Sequence, residues 1–157
     1  MIRPHGSDTL NPLFVYDTEQ HHQLLKEAEE LPSLLLNSAA AANAVMLGAG
    51  YFNPLEGYMG LADAMSVAEK MQTVEGLFWP VPVINLAKDV SAIRGAKRIA
   101  LRDPNTEGNP VMAIMEVDQI ETVSDEDIEI MAEQIFGNLD PDHPGVSTFT
   151  HLGNYLI

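Results

Sequence analysis

The 157-residue sequence has no cysteine, which excludes disulfides and thiolate metal sites and leaves the redox compartment open. Cations are scarce: 8 Lys and Arg stand against 23 Asp and Glu, a formal charge of −15. Such a field repels a phosphate backbone and argues against nucleic acid as a partner. No apolar run approaches the roughly 20 residues that a membrane-spanning helix needs. The opening residues, with Pro4, His5, Asp8 and Pro12, lack the apolar stretch of a signal peptide. No membrane partner and a cytoplasmic location are therefore expected. A phosphate-binding Gly-Lys-Ser/Thr loop is missing as well. Gly48 and Gly50 do not replace it, because they close a helix pattern rather than open one. No cofactor is expected on this chain.

What is present reads as one globular domain over residues 1–157, with 46% hydrophobic and 20% charged residues. Residues 1–16 form an irregular arm whose apolar end, Leu10 to Tyr16, is expected to dock on the body. Asp17 and Gln20 read as a capping pair, followed by Leu24, Leu25, Ala28 and Leu31 at helical spacing; Pro32 stops the helix. His21 shares the Leu24 face and is expected to pack half-buried. His22 points about 100° away, too far to share a metal ion with it easily. A short buried strand follows at 33–37, then a helix capped by Ser38 and ended by Gly48. Leu61, Ala64, Met65, Ala68 and Met71 mark one face of a third helix.

From Leu77 the period changes. Pro80 and Pro82 place two missing N–H groups on one strand edge, so this segment belongs at a sheet margin or under a cover. Arg98 to Arg102 alternates as a strand with a wet face, Asp103 to Gly108 is a turn, and Val111 to Val117 returns as a strand. Ser124 and Asp127 cap a further helix, with Ile128, Met131, Ala132, Ile135 and Phe136 on its apolar face and Gly137 at its end. The fold class is therefore α+β: a small barrel or a curled antiparallel or mixed sheet, flanked by several helices.

Two stretches look rigid. In Gly50-Tyr51-Phe52-Asn53-Pro54-Leu55-Glu56-Gly57-Tyr58-Met59, the proline fixes its own φ and holds Asn53 extended, while Gly50 and Gly57 are free to take positive φ. Asp140 to Val146 is a polar turn in which Pro144 and Gly145 constrain His143. A general base would need a nucleophile or substrate within hydrogen-bond reach, and no Ser-rich elbow or paired carboxylate stands out near that histidine. Five of the eight cations, Lys88, Arg94, Lys97, Arg98 and Arg102, fall in one span. They read as strand-end charges balanced by nearby acids, with Arg98 and Arg102 as the candidates for an anion contact.

These stretches carry a resemblance. Gly50 to Met59 is similar to the "GxFxPLxGFM" signature of ATP sulfurylases (sulfate adenylyltransferases). Phe78 to Val83 resembles that family's "WPxPI" strand, Ile99 to Asp103 its "IALxD" strand and Asp140 to Val146 its "DxxHPGV" turn. The resemblance implies the N-terminal PUA-like domain alone. The family's Gln-x-Arg-Asn, His-x-x-His and Gly-Arg-Asp residues belong to a second, catalytic domain, which this chain lacks and which would be its partner. It further implies Mg-ATP for the full-length enzyme, a homo-oligomer, and structural or interdomain roles for Asn53, Pro54, Leu55, Gly57, His143, Pro144 and Gly145. The chain is expected to end partway along a strand. A free-standing PUA-like module that binds RNA or a modified base is the alternative, opposed by the acidic charge; an oligomerising fragment is a third.

Overall fold

A computed structural model describes residues 3–157. Its helices are α1 (Thr18–Glu30), α2 (Ser38–Gly48), α3 (Leu61–Lys70), α4 (Asp125–Phe136) and α5 (Pro144–Phe149). Its strands are β1 (Ser33–Leu35), β2 (Leu86–Ala87), β3 (Arg98–Arg102), β4 (Val111–Glu116), β5 (Glu121–Thr122) and β6 (Tyr155–Leu156). They form two three-stranded sheets, ordered β1-β3-β4 and β2-β6-β5. The α+β class holds, and among the described residues the mixed and antiparallel sheets stay open. The barrel expected as one option does not close, because neither short sheet returns to its first strand. By compactness the chain divides into one unit of Met1–Tyr58 with Val90–Asp118 and another of Met59–Asp89 with Gln119–Ile157.

The first unit is built on β3. This strand pairs in parallel with β1, Leu34 opposite Leu101, and antiparallel with β4, Ile99 opposite Met115. A central strand covered on both faces has no wet side, and Ala100 is completely buried. That corrects the alternation expected from Arg98 and Arg102. Asp17 caps α1 by accepting from the Gln20 N–H at 2.7 Å, and the chain turns extended at Leu31, before Pro32. His21 is exposed rather than half-buried, since only Ala28 of this helix is fully covered. Helix α2 starts one residue earlier than expected: the Asn37 carboxamide, not Ser38, accepts from the Ala40 N–H at 2.9 Å. It also runs through Gly48, leaving Gly50 to take the left-handed conformation at φ 76°.

In the second unit β6 is the middle strand, paired antiparallel with both β2 and β5. Gly153 leads into it at φ 123°, where a Cβ would lie 2.2 Å from the Ala87 carbonyl oxygen. Only glycine tolerates both the dihedral and the approach. On α3 the fully buried residues are Ala64 and Val67; Met71 is exposed and left-handed at the helix end, not part of the apolar face. Ser124 caps α4 by accepting from the Asp127 N–H, and Gly137 closes it at φ 72°.

The Phe78–Val83 segment is not a strand. Its two prolines remove donors on one edge, and the segment is held by single bonds instead, from the Trp79 N–H to the Met71 carbonyl and from the Met59 N–H to the Val83 carbonyl. The expected Asp140–Val146 turn runs at its end into α5, which covers Pro144–Phe149. Pro at the first helical position is favourable there, because it has no N–H to leave unpaired.

Candidate functional site

The Gly50–Met59 loop owes its rigidity to the N-terminal arm. Asn53 is 6% exposed and its peptide bond to Pro54 is cis. Its carboxamide meets the arm at three points. The oxygen accepts from the Asn11 N–H at 3.0 Å, and the nitrogen donates to the His5 carbonyl at 3.0 Å and to the Ser7 hydroxyl at 2.7 Å. A single carboxamide can serve a donor and two acceptors at once, which is what an irregular, ladder-free segment requires.

The arm is seated again at the end of α2. The Gly48 carbonyl accepts from both Leu13 and Phe14 N–H groups, at 2.9 and 3.0 Å. A side chain at Gly48 would meet the Phe14 ring, which stands 2.6 Å from where its Cβ would be, so that ring would have to shift. Pro12 lies over Gly50, its backbone 3.3 Å from a Cβ there. The arm therefore docks as expected, yet its apolar residues from Leu10 to Tyr16 remain exposed. Gly57 differs from these glycines. It has no positive φ, and nothing lies within 4 Å of a Cβ built on it. The fold of this chain does not require glycine there.

Behind the loop the Tyr58 hydroxyl donates to the Ala40 carbonyl at 2.7 Å, and burial pushes its pKa well above the usual tyrosine value. It is a strut, not an acid or base. A cavity of about 530 Å³ lies in this unit, walled by Leu13, Phe14, Tyr58, Met112 and Ile114 among others. Such a lining, apolar with a few polar groups, is ordinary for a binding cavity.

Arg98 and Arg102 project from opposite ends of β3. Arg98 is engaged by Glu27, and Glu116 lies 4.0 Å from its Nε. Arg102 donates to the Ser33 hydroxyl at 3.0 Å and the Asn109 carbonyl at 3.3 Å. The following turn ties itself: Asp103 accepts from the Thr106 hydroxyl and the Asn105 N–H, which hold its carboxyl below the usual carboxylate range. Among the described residues, no group of three or more His, Asp or Glu could hold a metal ion, and no helix is long and apolar enough to cross a membrane.

His143, Pro144 and Gly145 lie in the second unit, Asn53 and Pro54 in the first. His143 is the N-cap of α5, its Nδ1 accepting from the Val146 N–H at 3.3 Å. Its ring packs on Phe136 with centroids 5.4 Å apart. Phe136 also explains Gly145, whose Cβ would meet that ring at 2.6 Å. What no local pattern could reveal is the pairing of Asn53 with His5, Ser7 and Asn11, more than forty residues upstream.

This mixed fold, with its motif residues spent on packing, defines a class. A family model described as a PUA-like domain matches residues 2–157, and the chain belongs to that family. At the level of individual proteins, it is 58% identical over its whole length to a sulfate adenylyltransferase of Allochromatium vinosum and 55% identical to one of Alcanivorax borkumensis. It spans only 40% and 39% of those relatives' lengths. A solved structure, the hexameric APS kinase from Thiobacillus denitrificans, superposes with a TM-score of 0.61 at 32% identity, covering 77% of this chain and 24% of that one.

Proposed function

We propose that this chain is the N-terminal PUA-like domain of a sulfate adenylyltransferase, acting as scaffold and as interdomain or intersubunit contact. The parent enzyme joins ATP and sulfate into adenosine 5′-phosphosulfate and pyrophosphate in the cytoplasm. The observation that carries the reading is full-length identity of 55–58% to sulfate adenylyltransferases, confined to about two fifths of their length.

The chemistry supports this division of labour. Attack of a sulfate oxygen on the α-phosphorus needs in-line positioning and cations that hold the polyphosphate as its charge shifts. In this reading Mg-ATP belongs to the full-length enzyme, and the field of a −15 chain is unfavourable to a polyphosphate. Arg98 and Arg102, the candidate anion contacts, already hold internal partners. The proposal accordingly assigns nucleotide and metal to a catalytic domain beyond this one. In this reading Asn53, Pro54, Leu55 and Gly57, with His143, Pro144 and Gly145, shape the domain and its contacts, and the parent enzyme is a homo-oligomer. The relatives favour this over an RNA-binding module, and so does the acidic charge.

Two observations test it. Reading the gene beyond the Ile157 codon should reveal an in-frame Gln-x-Arg-Asn and His-x-x-His segment. The 157-residue chain alone, given Mg-ATP and sulfate, should release no pyrophosphate above background. Robust turnover by the isolated chain, or a reading frame without those motifs, would overturn the proposal.

A further inference from the structure

We propose that the Asn85 carboxamide grips the polypeptide that follows residue 157 in the parent enzyme, much as the Asn53 carboxamide grips the arm. The inference rests on the reading that this chain is one domain of a longer sulfate adenylyltransferase, and adds the residue that holds the remainder. Among the described residues Asn53 and Asn85 are the two buried polar ones, at 6% and 1% exposure. Asn53 uses its oxygen and nitrogen in three bonds to the arm. Asn85 has no hydrogen-bond partner among the described residues for either its Oδ1 or its Nδ2.

A buried carboxamide unpaired at both ends is unfavourable, and buried polar groups in folded proteins are nearly all partnered. An aliphatic residue would pack here without that penalty, as the buried neighbours Val83, Ile84 and Leu86 do. The polar group at 85 therefore answers to a partner beyond these residues, and burial narrows what that partner is. A second copy, or any molecule docking from solvent, cannot reach a side chain that is 1% exposed without opening the core. A metal ion is a poor occupant as well, because among the described residues no group of three or more His, Asp or Glu could hold one.

The polypeptide itself has a short route to Asn85. Leu86 pairs with Leu156 and Ala87 with Tyr155, and the Ile157 N–H carries the ladder one step further by donating to the Asn85 carbonyl at 3.1 Å. Asn85 and Ile157 thus stand opposite each other, and opposite residues of an antiparallel pair share a face. The next residue of a longer chain lies one Cα step of about 3.8 Å past Ile157, close to the carboxamide. Residues joined to β6 in this way need no docking step: the core closes around them as the domain folds. An Asn side chain offers an acceptor and two donors, the complement of a peptide N–H and C=O, so it can hold main chain whatever side chains follow. The Asn53 clamp shows the same chemistry within this molecule.

Asn85→Leu, compared in the 157-residue chain and in the full-length enzyme, tests this. In the 157-residue chain the substitution removes an unmet polar group and should raise Tm by roughly 3 °C. In the full-length enzyme it removes the grip, and the first amides beyond residue 157 should exchange with solvent about tenfold faster while those of β3 and β4 are unchanged. Asn85→Ala keeps the exchange comparison should Asn85→Leu not fold. A folded Asn85→Leu chain whose Tm falls shows that the carboxamide already has a partner there, an ordered water included, and overturns the inference. Unchanged exchange beyond residue 157 overturns it too. Either result leaves the domain reading standing, whereas a reading frame that stops at Ile157 removes both.

Discussion

The Asn53 loop and the His143 turn both centre on a polar side chain next to a proline, yet they spend it differently. Asn53 bonds across 42 to 48 residues and ties the arm to the body. His143 bonds across three residues and only starts a helix. A long-range clamp closes a large loop and organises everything between its ends, whereas a cap adjusts one local turn. Similar-looking sequence corners therefore differ in the distance over which they act, and so in what their loss should cost.

Substitutions can break or sharpen that contrast. The largest effect is expected from Asn53→Ala, which removes a buried carboxamide and its three bonds to the arm; at about 1 kcal/mol for each, chemical denaturation should show a loss of about 3 kcal/mol. Gly145→Ala should cost about 1.5 kcal/mol by pushing a methyl into the Phe136 ring, visible as a lower Tm and a changed Phe136–His143 ring contact by NMR. Ser124→Ala, which removes a cap that neighbours no motif, should cost about 1 kcal/mol in the same measurement. His143→Asn keeps a capping acceptor and should stay within about 0.5 kcal/mol. Gly57→Ala should be the mildest, within about 0.5 kcal/mol of zero, because its Cβ meets open space. A large cost for His143→Asn would erase the contrast between the two corners.

Much of this was legible in the amino acids. Asp17, Ser124 and Gly137 announce their helix ends because capping chemistry is local. Asn37 and Ser38 compete for one cap, so α2 could be read only to within a residue. Helix α5 escaped because six residues opening with proline and glycine show no apolar period. The parallel pairing of Leu34 with Leu101 joins residues far apart in the chain, and no spacing rule predicts it. Ala100 looked wet for the same reason: its cover comes from elsewhere in the chain. At the candidate site the Asn53 corner was readable as rigid, but the arm atoms that make it so were not. Gly57 looked like a positive-φ turn residue, and its conformation requires no such freedom.

Amide hydrogen exchange on the Asn53→Ala chain tests the clamp most directly. The Asn11, Leu13 and Phe14 amides should lose their protection while those of β3 and β4 keep theirs. Arm amides as well protected as in the wild type would contradict the claim that Asn53 fixes the arm.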